Sequence, residues 1–251
     1  LSRYLKAEVV DNQSLHPDYK LLTLSPLNPL NEPEAGQFYM IGLPHDPFLK
    51  RPFSHFRKRG DGIQIFFKLK GKGTKILGSL NRGIIVDILG PLGNPYPLPA
   101  KGSKALVVAG GIGIASLYSL IRAIPERPLV FYGARNKEEL FFMDELKGSS
   151  EELFISTDDG SMGKKGLITE LLDDFLRGSS HPVTIYACGP LKMLENVSTI
   201  AEKRGIDAYI SVEERMACGI GACLGCVIMT TKGYQRVCKE GPVFRSGDII
   251  W

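Results

Sequence analysis

Ala105-Leu-Val-Val-Ala-Gly-Gly-Ile-Gly-Ile-Ala-Ser-Leu-Tyr-Ser-Leu-Ile-Arg-Ala123 is the stretch on which the reading of this chain turns. Five apolar residues in a row, Ala105–Ala109, suit a strand covered on both faces. Gly110-Gly-Ile-Gly113 then opens a predicted helix over Ile114–Ala123. A glycine turn between strand and helix leaves bare N–H groups at the helix start, where a dinucleotide phosphate is favoured. The turn lacks the full G-x-G-x-x-G spacing, so taken alone it is equally a tight turn.

The alternation continues downstream. Strands are predicted at Pro128–Gly133, Leu153–Ser156, Val183–Ala187 and Tyr209–Val212, with helices at Glu138–Lys147 and Leu167–Leu176. A further helix starts at Pro190, carries Leu191, Leu194, Val197 and Ile200 at helical spacing, and closes at Gly205. Strand and helix in turn predict a doubly wound parallel α/β sheet. Thr157-Asp-Asp-Gly160 and Ala187-Cys-Gly-Pro190 each end a strand and so fall on the carboxyl edge, where such sheets bind ligands. The acidic pair can accept hydrogen bonds from ribose hydroxyls or be a hydrophilic turn. Cys188 is a site residue or an inert packing thiol. Arg135, just past Gly133, reads as a solvated arginine rather than a contact to a nucleotide 2′-phosphate.

Upstream, residues 1–100 have a different texture. Short runs at Lys6–Val10, Tyr19–Ser25, Gln37–Leu43, Ile63–Leu69 and Ile84–Leu89, parted by Pro, Gly and Asn, predict a small β-barrel. Thr74–Leu80 suits a helical turn across a barrel end. The Pro-rich stretch Pro91–Pro99 reads as a linker to a second domain, 101–208. Arg51-Pro-Phe-Ser54 offers a bidentate guanidinium and a hydroxyl, and Gly71-Lys-Gly-Thr74 offers backbone donors to phosphate. Each alone is also an ordinary surface arginine and a turn.

Four of the five cysteines fall in a third segment, 209–251, at Cys218, Cys223, Cys226 and Cys238. C-x4-C-x2-C followed by a distant cysteine is the plant-type [2Fe-2S] spacing, supplying four soft thiolates. Wrapping three ligands into one loop needs positive φ, which Gly219, Gly221 and Gly225 can supply. An all-cysteine zinc site is the alternative, although such sites usually pair two C-x2-C knuckles and only one stands here. A disulfide framework is the third reading.

Composition bounds the remaining classes. The 251 residues include 31 Lys and Arg against 27 Asp and Glu, a net charge of +4, with no block of like charge to serve as a nucleic-acid arm. The N-terminus lacks an apolar signal core and no apolar run reaches ~18 residues, so no membrane partner is expected. Ligand-like cysteines point to a reducing compartment, the cytoplasm by default.

The order of the pieces adds what no piece carries alone. Arg51-Pro-Phe-Ser54, Gly71-Lys-Gly-Thr74, Gly90-Pro-Leu-Gly93, Gly110-Gly-Ile-Gly113 and Cys188-Gly-Pro190, in that order, resemble the ferredoxin-NADP reductase superfamily. With Glu213-Glu-Arg-Met-Ala-Cys-Gly-Ile-Gly-Ala-Cys-Leu-Gly-Cys226 and Arg236-Val-Cys-Lys-Glu-Gly-Pro-Val-Phe244, the chain resembles, end to end, the electron-transfer subunits of class 1B dihydroorotate dehydrogenase. The resemblance implies an FAD-binding barrel, an NAD-binding α/β domain and a cluster-binding module. It implies FAD contacts from Arg51, Pro52, Phe53, Ser54, Phe66, Phe67 and Lys68, with Gly73 and Thr74 at the pyrophosphate. Gly111, Gly113, Asp158 and Cys188 would line the NAD side, and the four cysteines would hold [2Fe-2S]. Phe53 departs from the Tyr that many relatives carry, which removes a hydroxyl.

The implied activity is an electron relay in pyrimidine biosynthesis. Electrons from dihydroorotate, oxidised at the FMN of a separate catalytic subunit in a heterotetramer, would pass through cluster and FAD to NAD+. Alone, the chain would only oxidise NADH with artificial acceptors. Two other readings stand beside it: a reductase subunit serving ferredoxin or hydrogenase with NADP(H), and a zinc-stabilised, non-enzymatic binding module.

Overall fold

The computed structural model describes residues 3–44, 48–178 and 181–251. The first hundred residues form β1 (Arg3–His16), β2 (Tyr19–Pro26), β3 (Phe38–Gly42), β4 (Arg51–Ser54), β5 (Arg57–Arg59), β6 (Gly62–Lys68), helix α1 (Lys72–Gly78) and β7 (Ile85–Leu92). The strands make one antiparallel sheet in the order β4-β3-β7-β1-β2-β6-β5. It curls into a barrel as β4 returns against β6. Period-2 alternation decides which side chain goes where. On β6, Ile63, Ile65 and Phe67 point into the barrel core, while Phe66 points out into the core of the next domain. Both faces of β6 are therefore covered, which is why its sequence is apolar almost throughout.

The second layer runs β8 (Lys104–Gly110), α2 (Ile114–Ala123), β9 (Leu129–Ala134), α3 (Met143–Ser149), β10 (Glu152–Thr157), β11 (Lys164–Lys165) and α4 (Ile168–Gly178). It continues through β12 (Val183–Cys188), α5 (Leu191–Arg204) and β13 (Asp207–Ser211). These strands pair in parallel in the order β11-β10-β9-β8-β12-β13. Ile114, Leu117 and Leu146 of α2 and α3 pack one face; Ile168, Leu172, Leu194 and Val197 of α4 and α5 pack the other. The order reverses between β8 and β12, so the switch point lies at their carboxyl ends.

The C-terminal segment contributes the hairpin β14 (Val227–Thr230) and β15 (Gly233–Arg236), then β16 (Val243–Arg245). β16 pairs antiparallel with β13, so this segment shares a sheet with the α/β layer. The Pro-rich stretch is not a free tether either. β7 runs to Leu92, and buried Tyr96 meets the Tyr186 ring edge-on and the Ser116 hydroxyl at 3.3 Å.

One expected helix is broken. Glu138–Lys147 is a 3-10 turn over Lys137–Glu139 followed by α3, with Phe142 in the left-handed region at φ 59°. A non-glycine residue there costs roughly 1 kcal/mol or more. The offset is aromatic packing: Phe141 and Phe142 both enter a cluster with Phe66, Phe56 and Tyr118 that joins barrel to sheet. No helix among the described residues is long and apolar enough to cross a membrane.

Candidate flavin, nucleotide and cluster site

A cleft of about 840 Å³ separates the barrel from the carboxyl edge of the parallel sheet. Its barrel wall carries Pro52, Phe53 and Ser54 of β4, Phe66, Phe67 and Lys68 of β6, and Thr74. Phe53 and Phe67 meet edge-on with centroids 5.3 Å apart, an apolar corner suited to a flat ring. The sheet wall carries Gly111, Asp158 and Cys188, each at the end of a parallel strand. Arg51, Gly73 and Gly113, also singled out in the sequence, are not among its lining residues. Arg51 lies over α1, so closely that a Cβ on Gly73 would sit 2.4 Å from its Nε. Gly113 is packed on β12, where a Cβ would be 2.1 Å from the Cys188 carbonyl oxygen. Thr74 lines the cleft, but its hydroxyl is engaged locally, accepting from the Lys70 and Gly71 amides at 2.8 and 3.0 Å.

The polar groups of the cleft divide into two ends. Beside β12 and β13, the buried Cys188 thiol is pushed well up by burial, so it stays neutral. Ser116 donates to Ser211 at 3.4 Å in the same corner. Glu213 stands at the cleft wall with its pKa raised by desolvation, Lys70 acting in the opposite direction. Beyond β8, Ser156 is buried and its Oγ lacks a partner, which leaves a hydroxyl for a bound molecule.

Arg135 is not simply solvated. Its Nε donates to Glu139 Oε2 at 3.1 Å and its Nη2 to Oε1, while Lys68 reaches Oε1 from the barrel at 3.2 Å and Tyr19 at 2.9 Å. The Arg135 hydrogen bond, opposed by burial and aided by Lys68, holds the Glu139 carboxyl down from 4.5 to about 2. Since the folded pKa lies below the unfolded one, the stabilisation is complete above 4.5 and is lost as pH falls toward 2. The unfolding free-energy difference between wild type and Glu139→Gln is therefore expected to be full at about pH 6 and to shrink below about pH 4.5. Urea unfolding across that window checks it; a pH-independent difference contradicts the assignment.

Sequence reasoning missed Ser116, Ser156, Ser211, Glu139 and Glu213. Only Ser156, directly before the Thr157-Asp-Asp-Gly160 turn, and Glu213, heading the cysteine segment, carried a positional hint.

The cysteine loop sits on the barrel beside this cleft. A Cβ on Gly219 would lie 2.5 Å from the Met40 side chain of β3, and Met216 lines the cleft itself. Gly219 and Gly221 hold φ of 72° and 79° as the wrap requires. Gly225 does not; the left-handed residue there is Leu224, at φ 57°. Backbone N–H groups point at sulfur: Ile220 to Cys218 at 3.4 Å, Gly221 to Cys238 at 3.1 Å and Cys238 to Cys226 at 3.5 Å. Burial alone would raise the Cys218 thiol, but the amides of Ile220, Cys223 and Ala222 bring it down to about 6. Burial and the Cys226 hydrogen bond push Cys238 up to about 12. The thiols thus neighbour one another as Cys218 with Cys223 and Cys226 with Cys238. Two thiolates for each of two irons fit this arrangement, and donated N–H groups fit sulfur acceptors.

The chain is similar to several known proteins. A profile of the iron-sulfur cluster binding domain of dihydroorotate dehydrogenase B matches residues 213–250, and one of the oxidoreductase NAD-binding domain matches 107–199. The dihydroorotate dehydrogenase B (NAD(+)) electron transfer subunit of Caldanaerobacter subterraneus subsp. tengcongensis is 35% identical, over 98% of each chain. That of Geobacillus thermodenitrificans is 40% identical over 88% of each. Among solved structures, an NADH-dependent reduced ferredoxin-NADP oxidoreductase studied for flavin-based electron bifurcation is 28% identical, with TM-score 0.88 over 98% of this chain and 90% of that one. A ferredoxin NADP+ reductase from Neisseria gonorrhoeae shares the fold, with TM-score 0.68 at 20% identity over 84% and 94%.

Proposed function

The chain belongs to the family of dihydroorotate dehydrogenase B (NAD(+)) electron-transfer subunits, and on that premise we propose which residues carry the work. When bound, [2Fe-2S] carries single electrons and FAD converts them into hydride transfer with NAD. Residues 1–100 hold FAD, 101–208 hold NAD and 209–251 hold the cluster. Phe53, Phe67 and Pro52 give the flavin an apolar bed, and Ser54 presents a hydroxyl at its edge. Phe66 and Lys68 fix the strand beneath, while Arg51, Gly73 and Thr74 serve the pyrophosphate. On the sheet side, Asp158 accepts from ribose hydroxyls. Gly111 brings bare backbone to the phosphates, Gly113 lets α2 reach β12, and Cys188 supplies a neutral thiol. Cys218 and Cys223 ligate one iron, Cys226 and Cys238 the other.

A single observation supports this reading most. The cysteine loop packs on β3 through Gly219 and Met40 and enters the cleft through Met216, so cluster and flavin sites adjoin. On the outer side Cys223 is exposed, among exposed Ile220, Leu224 and Tyr234. We assign that apolar surface to the catalytic partner subunit, whose FMN supplies the electrons, in an assembly of two copies of each chain. The likeness to the NADH-dependent reduced ferredoxin-NADP oxidoreductase favours a second reading, in which the electrons leave for ferredoxin.

The test is an anaerobic visible spectrum before and after NADH, with iron and zinc assayed. Flavin and iron–sulfur absorbance that bleach with NADH, followed by NAD+ reduction once a dihydroorotate dehydrogenase catalytic chain and dihydroorotate are added, is the expected result. Bleaching without coupling to that chain favours the ferredoxin reading. A colourless, zinc-bearing protein sinks both.

A further inference from the structure

Glu139 and Arg135 close on each other at one end of the cleft, and the fold fixes which end that is. The cluster loop, Cys188, Ser211 and Glu213 all belong to the β12 and β13 side, so the reacting ring of a dinucleotide lies there. The ends of β9 and β10, across β8, are left to the nucleoside that does not react. At that end stands Arg135, the only arginine among the described lining residues. Its side chain is 67% exposed and could turn to a ligand, whereas that of Glu139 is 11% exposed and is held from both walls of the cleft. Both carboxylate oxygens are engaged by the guanidinium.

We propose that Glu139 is a specificity-determining residue: by engaging Arg135 it withholds that guanidinium from a nucleotide 2′-phosphate and favours a ribose with free hydroxyls. A 2′-phosphate would have to draw the guanidinium away from a buried carboxylate, leaving that charge without its Arg135 partner. The carboxylate of Asp158, on the neighbouring strand end, repels the same phosphate. Lys68 stays on Glu139 from the barrel and compensates only part of its charge. The proposal rests on the placement of the nicotinamide nucleotide in this cleft.

Calorimetric binding of 5′-AMP and 2′,5′-ADP to the chain loaded with FAD and cluster tests it without requiring hydride transfer. Wild type is expected to bind 2′,5′-ADP no more tightly than 5′-AMP. Glu139→Gln raises the affinity for 2′,5′-ADP relative to 5′-AMP by about five- to ten-fold, and adding Arg135→Leu removes the gain. Arg135→Leu alone changes the ratio by less than about two-fold, because the guanidinium is already engaged; this arm decides the matter if the Gln variant does not fold. An unchanged ratio in Glu139→Gln, or a selective loss of 2′,5′-ADP from Arg135→Leu alone, overturns the proposal and leaves the nucleotide site standing. Failure of both nucleotides to bind wild type overturns the site and the proposal together.

Discussion

Cys238→Ser is expected to remove the iron–sulfur absorbance and the bound iron while the protein keeps its flavin. Cys238 is buried, accepts the Gly221 amide at 3.1 Å and neighbours Cys226, so on the proposed ligand set its loss leaves one iron with a single thiolate. A serine oxygen is a harder and less acidic donor than a thiol and suits iron–sulfide chemistry poorly. Changes outside the ligand set already cost 10–100-fold at metal sites, so dihydroorotate-driven NAD+ reduction in the reconstituted complex should fall by roughly a hundred-fold or more. NADH oxidation with an artificial acceptor should stay within about three-fold, because Ser54, Asp158 and Cys188 sit on other elements, at β4 and at the ends of β10 and β12. Flavin content reports on folding in the same sample. A variant that keeps full iron, or one that loses both activities equally, contradicts the separation of cluster from nucleotide site.

That separation was partly legible in the residues, and the parts that were legible have a common cause. Local signals survive into the structure unchanged. α2 spans Ile114–Ala123, the range expected after the glycine turn, and Gly205 caps α5 at φ 64°. β4 and β5 were invisible because Pro52 and the run Arg57-Lys-Arg59 break the β pattern; both are edge strands, where such residues are tolerated. β1 runs on past Val10 because a bulge there, between Val9 and Asp11, shifts the register and the polar residues Asp11–Ser14 that ended the predicted strand stay paired with β2. The Arg135–Glu139–Lys68 arrangement had no local signature, since Lys68 comes from the other side of the cleft, 71 positions away in sequence. Leu224 is the sharpest case. Its left-handed backbone falls in the loop between Cys223 and Cys226, and its own side chain argues against it.

Gly113→Ala should be among the most damaging single-atom changes in the chain, and Gly148→Ala the opposite. Neither glycine has a positive φ, so no backbone strain separates them; only their surroundings do. A Cβ at Gly113 would lie 2.1 Å from the Cys188 carbonyl oxygen, 2.4 Å from its carbon and 2.8 Å from the Gly189 nitrogen. All three are backbone atoms and none can rotate aside. The start of α2 must therefore lift from the end of β12, opening the packing that joins the two halves of the sheet at its switch point. Overpacking of this kind typically costs 1–3 kcal/mol, and a backbone clash belongs at the upper limit, about 3 kcal/mol. For a chain of this size that lowers the melting temperature by roughly 6–12 °C. Gly111 and Cys188 move apart with the two elements, so the KM for NADH should rise as well. Gly148, inside α3, has nothing within 4 Å of its Cβ position, and alanine there should stabilise the helix by about 0.5–1 kcal/mol. Calorimetric melting of the two variants side by side is decisive. Equal shifts would mean that α2 does not need the close approach to β12 on which the nucleotide site is built.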